Sequence, residues 1–172
     1  MGKLDIKELI EINTSAEKAW ELVGPNFVNI EDWGTGVIKS WSHESAPVIF
    51  KGAPAGGRFC DLGKSGKIEE LIVHYDQVQK EITYSAKSDK IPSFIVGLQN
   101  ALKVEEISDN SCRASTNMTA DLTGLRGILF GILIKINFRK LLKGFLKDWK
   151  IYAETGEVSE AKKRELAKHN KT

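Results

Sequence analysis

The sequence predicts an α+β domain, a strongly curved antiparallel sheet of about seven strands wrapped round one long C-terminal helix. Three observations lead there. Residues 4–12 alternate, with Leu4, Ile6, Ile10 and Ile12 on one parity and Asp5, Lys7 and Glu11 on the other, the pattern of a half-buried strand. From residue 37 to 121 one strand-like run follows another, and the joins are mostly short, which favours antiparallel neighbours. Residues 125–152 are the one long helix candidate. Such a helix has an apolar face to bury, and the concave side of the sheet is the one large surface on offer.

The elements follow in order. After the first strand, Thr14 or Ser15 caps a short helix in which Ala16, Ala19, Trp20 and Val23 recur at helical spacing. Of the two caps, Thr14 with Glu17 would make a capping box. Gly24-Pro25 stops this helix, and another turn or two follows over 27–33 before Gly34 and Gly36. Strands are expected at 37–43, 57–62, 67–75, 81–87, 94–107 and 112–121. Turn chemistry lies between them at 63–66, 76–80, 88–92 and 108–110. The stretch 44–56 reads as a long loop with room for a stub of strand at 48–50. No repeat or linker divides the chain, so residues 1–157 are expected to form one domain and 158–172 a polar, loosely held tail.

The 172 residues include 41% hydrophobic and 28% charged side chains, with a net charge of +2. That fits one globular domain and gives no global pull towards nucleic acid. No run is long and apolar enough for a membrane-spanning helix. Two cysteines, and no secretory h-region in MGKLDIKELI, give the expectation of a cytoplasmic protein without a disulfide framework. His43, His74 and His169 form no HExxH, and Cys60 and Cys112 form no CxxC, so neither a metal nor a cofactor is expected. Gly63-Lys64-Ser65 looks like the end of a phosphate-binding loop, but Arg58 stands where its first glycine belongs. There is no GxSxG nucleophile elbow. Gly34-Thr35-Gly36 does not continue as a dinucleotide fingerprint, because Lys39 occupies its last place.

Several short stretches, taken in this order, resemble the START-like superfamily, the helix-grip fold, and within it the polyketide cyclase/dehydrase and lipid transport branch. Residues 13–20 resemble its opening, where a strand ends and a helix with an inward Trp20 follows. Phe27, Ile30 and Trp33 fit its next spacing, Gly57-Arg58 its third strand, Ile68-Glu69-Glu70-Leu71 its fourth and Tyr84 its fifth. Pro92 with Leu102-Lys103-Val104 fits the sixth, and Leu146-Lys147 with Glu154 the end of the long helix. Ser115 departs from the aromatic that relatives often carry. The resemblance runs from about Ile6 to Glu157 and implies a hydrophobic cavity between sheet and helix. It does not fix a function, since one fold hosts many.

Parity nominates the cavity lining. On the 67–75 strand the parity leaves two sets open, Ile68, Glu70, Ile72 and His74 or Glu69, Leu71 and Val73, with the first preferred as inward; Ile82, Tyr84 and Ala86 form the inward set of the next. Val96, Leu98, Asn100, Leu102 and Val104 follow, then Cys112, Ala114, Thr116, Met118 and Ala120. Arg58 stands out, because a guanidinium in a half-buried strand needs a carboxylate or water. Glu69 or Glu70 would supply an internal pair, and an anchor for a ligand's anion or carbonyl is the functional alternative. Tyr84 and Asn100 add a hydroxyl and an amide that orient a ligand. Trp33 is a further wall candidate, although it, Trp20 and Trp149 read equally as core. Glu8 falls on the apolar parity of its strand, as a polar anchor or an edge residue that reaches water.

Along the long helix, Ile134, Phe138, Leu141, Phe145, Trp149 and Tyr152 share one side, and Lys140, Lys143, Lys147 and Lys150 the other. A closed pocket is expected against Ile134, Phe138, Leu141 and Phe145. Yet Leu125, Ile128, Leu129, Ile132 and Ile136 line the side that the lysines later occupy. A bend near 127–131 would resolve the conflict, and this is the expectation. Without it, residues 125–140 leave an apolar, basic-flanked stripe for peripheral membrane contact or a two-fold partner. A monomer or weak dimer is expected.

The favoured reading is a binder or carrier of a hydrophobic small molecule such as a lipid, sterol or polyketide. A polyketide cyclase/aromatase-type enzyme is the alternative, with acid–base groups drawn from Arg58, Glu70, His74 and Tyr84. A membrane-surface or protein-interaction module is the third. No nucleophile–base pair is evident in the sequence, so no catalytic residue is assigned.

Overall fold

The structure is a computed structural model that describes residues 2–169, apart from the side chain of Ile128. Strand β1 (Gly2–Ile12) buries Leu4, Ile6 and Ile12 at the expected parity. Helix α1 (Ala16–Val23) is capped by Ser15, whose Oγ accepts from Lys18 N at 3.3 Å, so the Thr14–Glu17 capping box does not form. A 3-10 segment, Phe27–Asp32, sets Phe27 and Ile30 into the core. Then come β2 (Lys39–Ser42), β3 (Gly57–Asp61), β4 (Lys67–Asp76), β5 (Glu81–Lys87), β6 (Ile95–Ser108) and β7 (Ser111–Leu122). No strand forms at 48–50, where the loop carries only turns and bends.

The seven strands make one antiparallel sheet in the order β1-β7-β6-β5-β4-β3-β2. Sequence neighbours therefore pair from β2 to β7, and the last strand closes back on the first. Gly57 starts β3 against β4 so closely that a Cβ there would sit 2.3 Å from Glu70 O. Only glycine fits that approach.

Helix α2 spans Gly124–Thr155 without a break and ends at Gly156, whose φ of +73 is the left-handed C-cap. The expected bend is absent. Gly127 is not a hinge: a Cβ there would come within 2.8 Å of Leu122 C, so the glycine lets the helix start close against the end of β7. The helix lies along β1 and β7, where Leu142 and Leu146 are buried. Its outer side pairs with the sheet edge: Arg139 Nε donates to Glu8 Oε1 at 2.8 Å, and Lys143 Nζ lies 4.0 Å from Glu8 Oε2. Glu8 is thus neither a cavity anchor nor a free edge carboxylate.

The segment read as a loose tail holds helix α3 (Glu160–His169). Lys162 is only 1% exposed, and its Nζ donates to Gly34 O at 3.1 Å and Val37 O at 2.5 Å. Glu165 Oε1 accepts from Gly36 N at 2.9 Å, and Asp148 Oδ2 on α2 accepts from Thr35 N at 2.9 Å. The loop 34–37 is therefore clamped by both C-terminal helices. No apolar stripe marks α3; it docks through buried Lys162, held by two carbonyls and by Glu165 Oε2 at 3.1 Å, and through Glu165 itself.

Candidate ligand-binding site

Because α2 covers β1 and β7, the concave face of β3 to β5 has no helix directly on it. A cavity of about 650 Å³ lies there, bounded by the sheet, by Phe138, Leu142 and Phe145 of α2, and by the first turn of α3. It is not closed. Leu141, 57% exposed, lines it together with the exposed Gly144 and Lys147, so the opening runs along that flank of α2.

Five consecutive strands each place one buried polar side chain on the concave face: Arg58, Glu70, Tyr84, Asn100 and Thr116. Register does this. Arg58 is opposite Glu70, Tyr84 opposite Asn100, and Leu102 opposite Thr116. Arg58 Nε donates to Glu70 Oε2 at 2.5 Å, and its Nη1 donates to Phe27 O. The guanidinium carbon lies 3.9 Å over the Phe27 ring and 5.5 Å from the Tyr84 ring centre, a cation–π arrangement. Thr116 Oγ1 donates to Asn100 Oδ1 at 2.6 Å, and Asn100 Nδ2 donates to Tyr84 Oη at 3.0 Å. Among the described residues no acceptor faces Arg58 Nη2, and none takes the Tyr84 hydroxyl proton. Both residues line the cavity.

Burial alone would lower the Arg58 guanidinium, but the charge of Glu70, the added effects of Cys60 and Tyr84, and the hydrogen bond to Glu70 together outweigh it and hold Arg58 above its ordinary value. Burial, reinforced by Glu70, pushes the Tyr84 phenol up. The Cys60 thiol, 3.9 Å from Glu70 Oε2, is pushed up to about 12, mainly by burial. At neutral pH the site therefore presents one paired cation, a neutral phenol and a neutral thiol.

Of the residues expected at a site, Arg58, Glu70, Tyr84, Asn100, Phe138, Leu141 and Phe145 line this cavity. His74 does not. A register shift between Ile72 and His74 reverses the parity of β4, so Tyr75 turns inward while His74 faces out, 3.8 Å from Glu81 Oε2 and edge-on to Phe50. Trp33 is buried behind the wall, its ring 5.4 Å from that of Phe145. Trp20 and Trp149 are core, with ring N–H groups on Gln77 Oε1 and Ala19 O. Sequence reasoning did not nominate Cys60 or the start of α3 as lining. Cys60 was recoverable, since it shares the parity of Arg58.

No family model matches the chain, and no curated protein does. Solved structures do. A START superfamily protein from Mycobacterium smegmatis superposes with a TM-score of 0.67 at 11% identity, over 88% of this chain and 97% of that one. The protein XoxI from Bacillus cereus gives 0.65 at 19% identity, over 85% and 92%. The Zhui aromatase/cyclase from a Streptomyces species gives 0.61 at 8% identity, over 92% and 100%. At such identities the likeness is one of architecture, and the architecture is the START-like, helix-grip fold.

Proposed function

We propose that the chain binds, and carries, a hydrophobic small molecule with one polar end, of the lipid, sterol or polyketide kind, in the cavity between β3–β5 and α2. The observation that carries this is the division of the lining. Apolar side chains such as Met118, Leu142 and Phe145 make the walls, and the buried polar groups stand in one row across the sheet floor. Pockets of this sort, apolar with a few convergent polar groups, take a ligand's body by burial and its head by hydrogen bonds. Arg58 Nη2 and Tyr84 Oη are the donors for a carboxylate or carbonyl head.

A binding role suits this lining better than acid–base catalysis. Cys60 and Tyr84 are held neutral by burial, the Arg58 charge is engaged by Glu70, and His74 is turned away. General acid–base work asks for a group that titrates near the working pH. The test is an apolar fluorophore titrated into the protein and competed with fatty acids and sterols. Saturable binding that a long-chain acid displaces, and that Arg58→Met weakens without loss of fold, is the expected result. Unchanged acid binding in a folded Arg58→Met would remove the anchor, and no fluorophore uptake would remove the cavity reading.

A further inference from the structure

The outward face of α2 changes character half-way along. A line drawn opposite the buried side meets Leu125, Leu129, Ile132 and Ile136, then Lys143, Lys147 and Lys150. Ile132 is 77% and Leu129 66% exposed, and Leu133 and Phe130 widen the patch on one flank. Over this first half, about 18 Å at the α-helical rise, the helix is apolar nearly all round. No acid occurs from Leu122 to Lys147, whereas Arg126, Lys135, Arg139, Lys140, Lys143 and Lys147 do. Of these, Arg139 and Lys143 face Glu8, and the other four meet no carboxylate among the described residues.

We infer that this end of α2 docks into an anionic lipid bilayer, its apolar tip among the acyl chains near the surface and the lysines behind it at the headgroups. An apolar end followed by a basic collar is what an interfacial element requires, since burial and attraction to anionic lipid then act together. A second copy of the chain fits less well. A two-fold contact through the tip would bring Arg126 and Lys135 of both copies together with no acid between them, and like charges at an interface are costly. The tip also continues into the cavity wall. Phe130, Ile134, Phe138, Leu141 and Phe145 follow one another at helical spacing on one side of α2, and the last three line the cavity. That lane makes the bilayer the source or destination of the ligand. The lane rests on the binding role proposed for the cavity; the docking does not.

The test is sedimentation of the full chain with vesicles of phosphatidylcholine, with and without phosphatidylglycerol. Binding is expected with the anionic vesicles and should fade as salt is added. The double variant Leu129→Asp/Ile132→Asp should melt as the wild type does and bind about tenfold or more weakly, because two well-exposed apolar anchors are lost. Val78→Asp, at an exposed apolar position on the β4–β5 turn, should bind as before. Wild-type protein that ignores anionic vesicles overturns the docking, and so does a folded double variant that sediments with them unchanged. A concentration-dependent dimer lost in the double variant, with no vesicle binding, also overturns it and assigns the face to a second copy. Fluorophore uptake without vesicle binding removes the docking alone, and vesicle binding without uptake removes the cavity reading alone.

Discussion

The cavity floor and the start of α2 both invert polarity and burial, and the two inversions are resolved differently. On the cavity floor a guanidinium and a carboxylate are buried. At the start of α2 a cluster of large apolar side chains is exposed. The floor resolves its inversion internally: Arg58 has Glu70, the Phe27 carbonyl and two aromatic faces. The tip of α2 has nothing of the kind. Buried charge must be paired for the chain to fold at all, whereas exposed apolar surface costs the isolated fold little and waits for something outside it. The first inversion is therefore part of the fold, and the second points beyond it.

The largest effect should come from breaking the first. Arg58→Met strands the Glu70 carboxylate and should cost about 3–5 kcal/mol in chemical denaturation. The double change Arg58→Met/Glu70→Leu should recover most of that. Single and double variants equal in stability would mean that the pair is already solvated. Next is the buried half of α2, where Leu146→Ala should cost about 2–5 kcal/mol by leaving a cavity. Ile132→Ala, three to four turns earlier on the same helix, should stay within about 0.5 kcal/mol. Similar costs for the two would show that the tip is packed in solution and end the comparison.

Most of the fold was legible because period-2 alternation reports directly on which face is buried. Strand bounds and the inward sets on β5 and β7 follow from it, as does that of β6 from Leu98 onward; Val96, expected inward, is exposed and Ile95 is buried instead, because the register with β7 shifts between Val96 and Gln99. What was not legible had no periodic signal. The irregularity after Ile72 changes no composition, yet it turns His74 outward and Tyr75 inward. Helix α3 docks through Lys162, a residue type that pattern reading assigns to solvent. The glycines of α2 suggested a hinge, but Gly127 answers to a close approach to Leu122. The site was legible strand by strand, as parity. The donors left free on Arg58 and Tyr84 depend on side-chain geometry that no sequence pattern encodes.

A smaller effect sharpens the picture of the floor. Burial raises Cys60 from 9.0 to about 12, and Tyr84 moves the same way. A raised folded value means stability is fully present below pH 9.0 and declines as the pH climbs from there towards 12. Cys60→Ala should flatten that decline in denaturation curves taken across this range. A wild-type curve that is flat above pH 9 would place Cys60 in contact with water, and the floor with it.

The most direct test of the central claim is native mass spectrometry of freshly purified protein, before and after incubation with a long-chain fatty acid. A hydrophobic ligand held in the cavity predicts an added mass of lipid size. It should appear at one equivalent and be lost in Arg58→Met under conditions where that variant stays folded. Bare protein throughout, with no adduct at any acid or sterol concentration, would contradict the account.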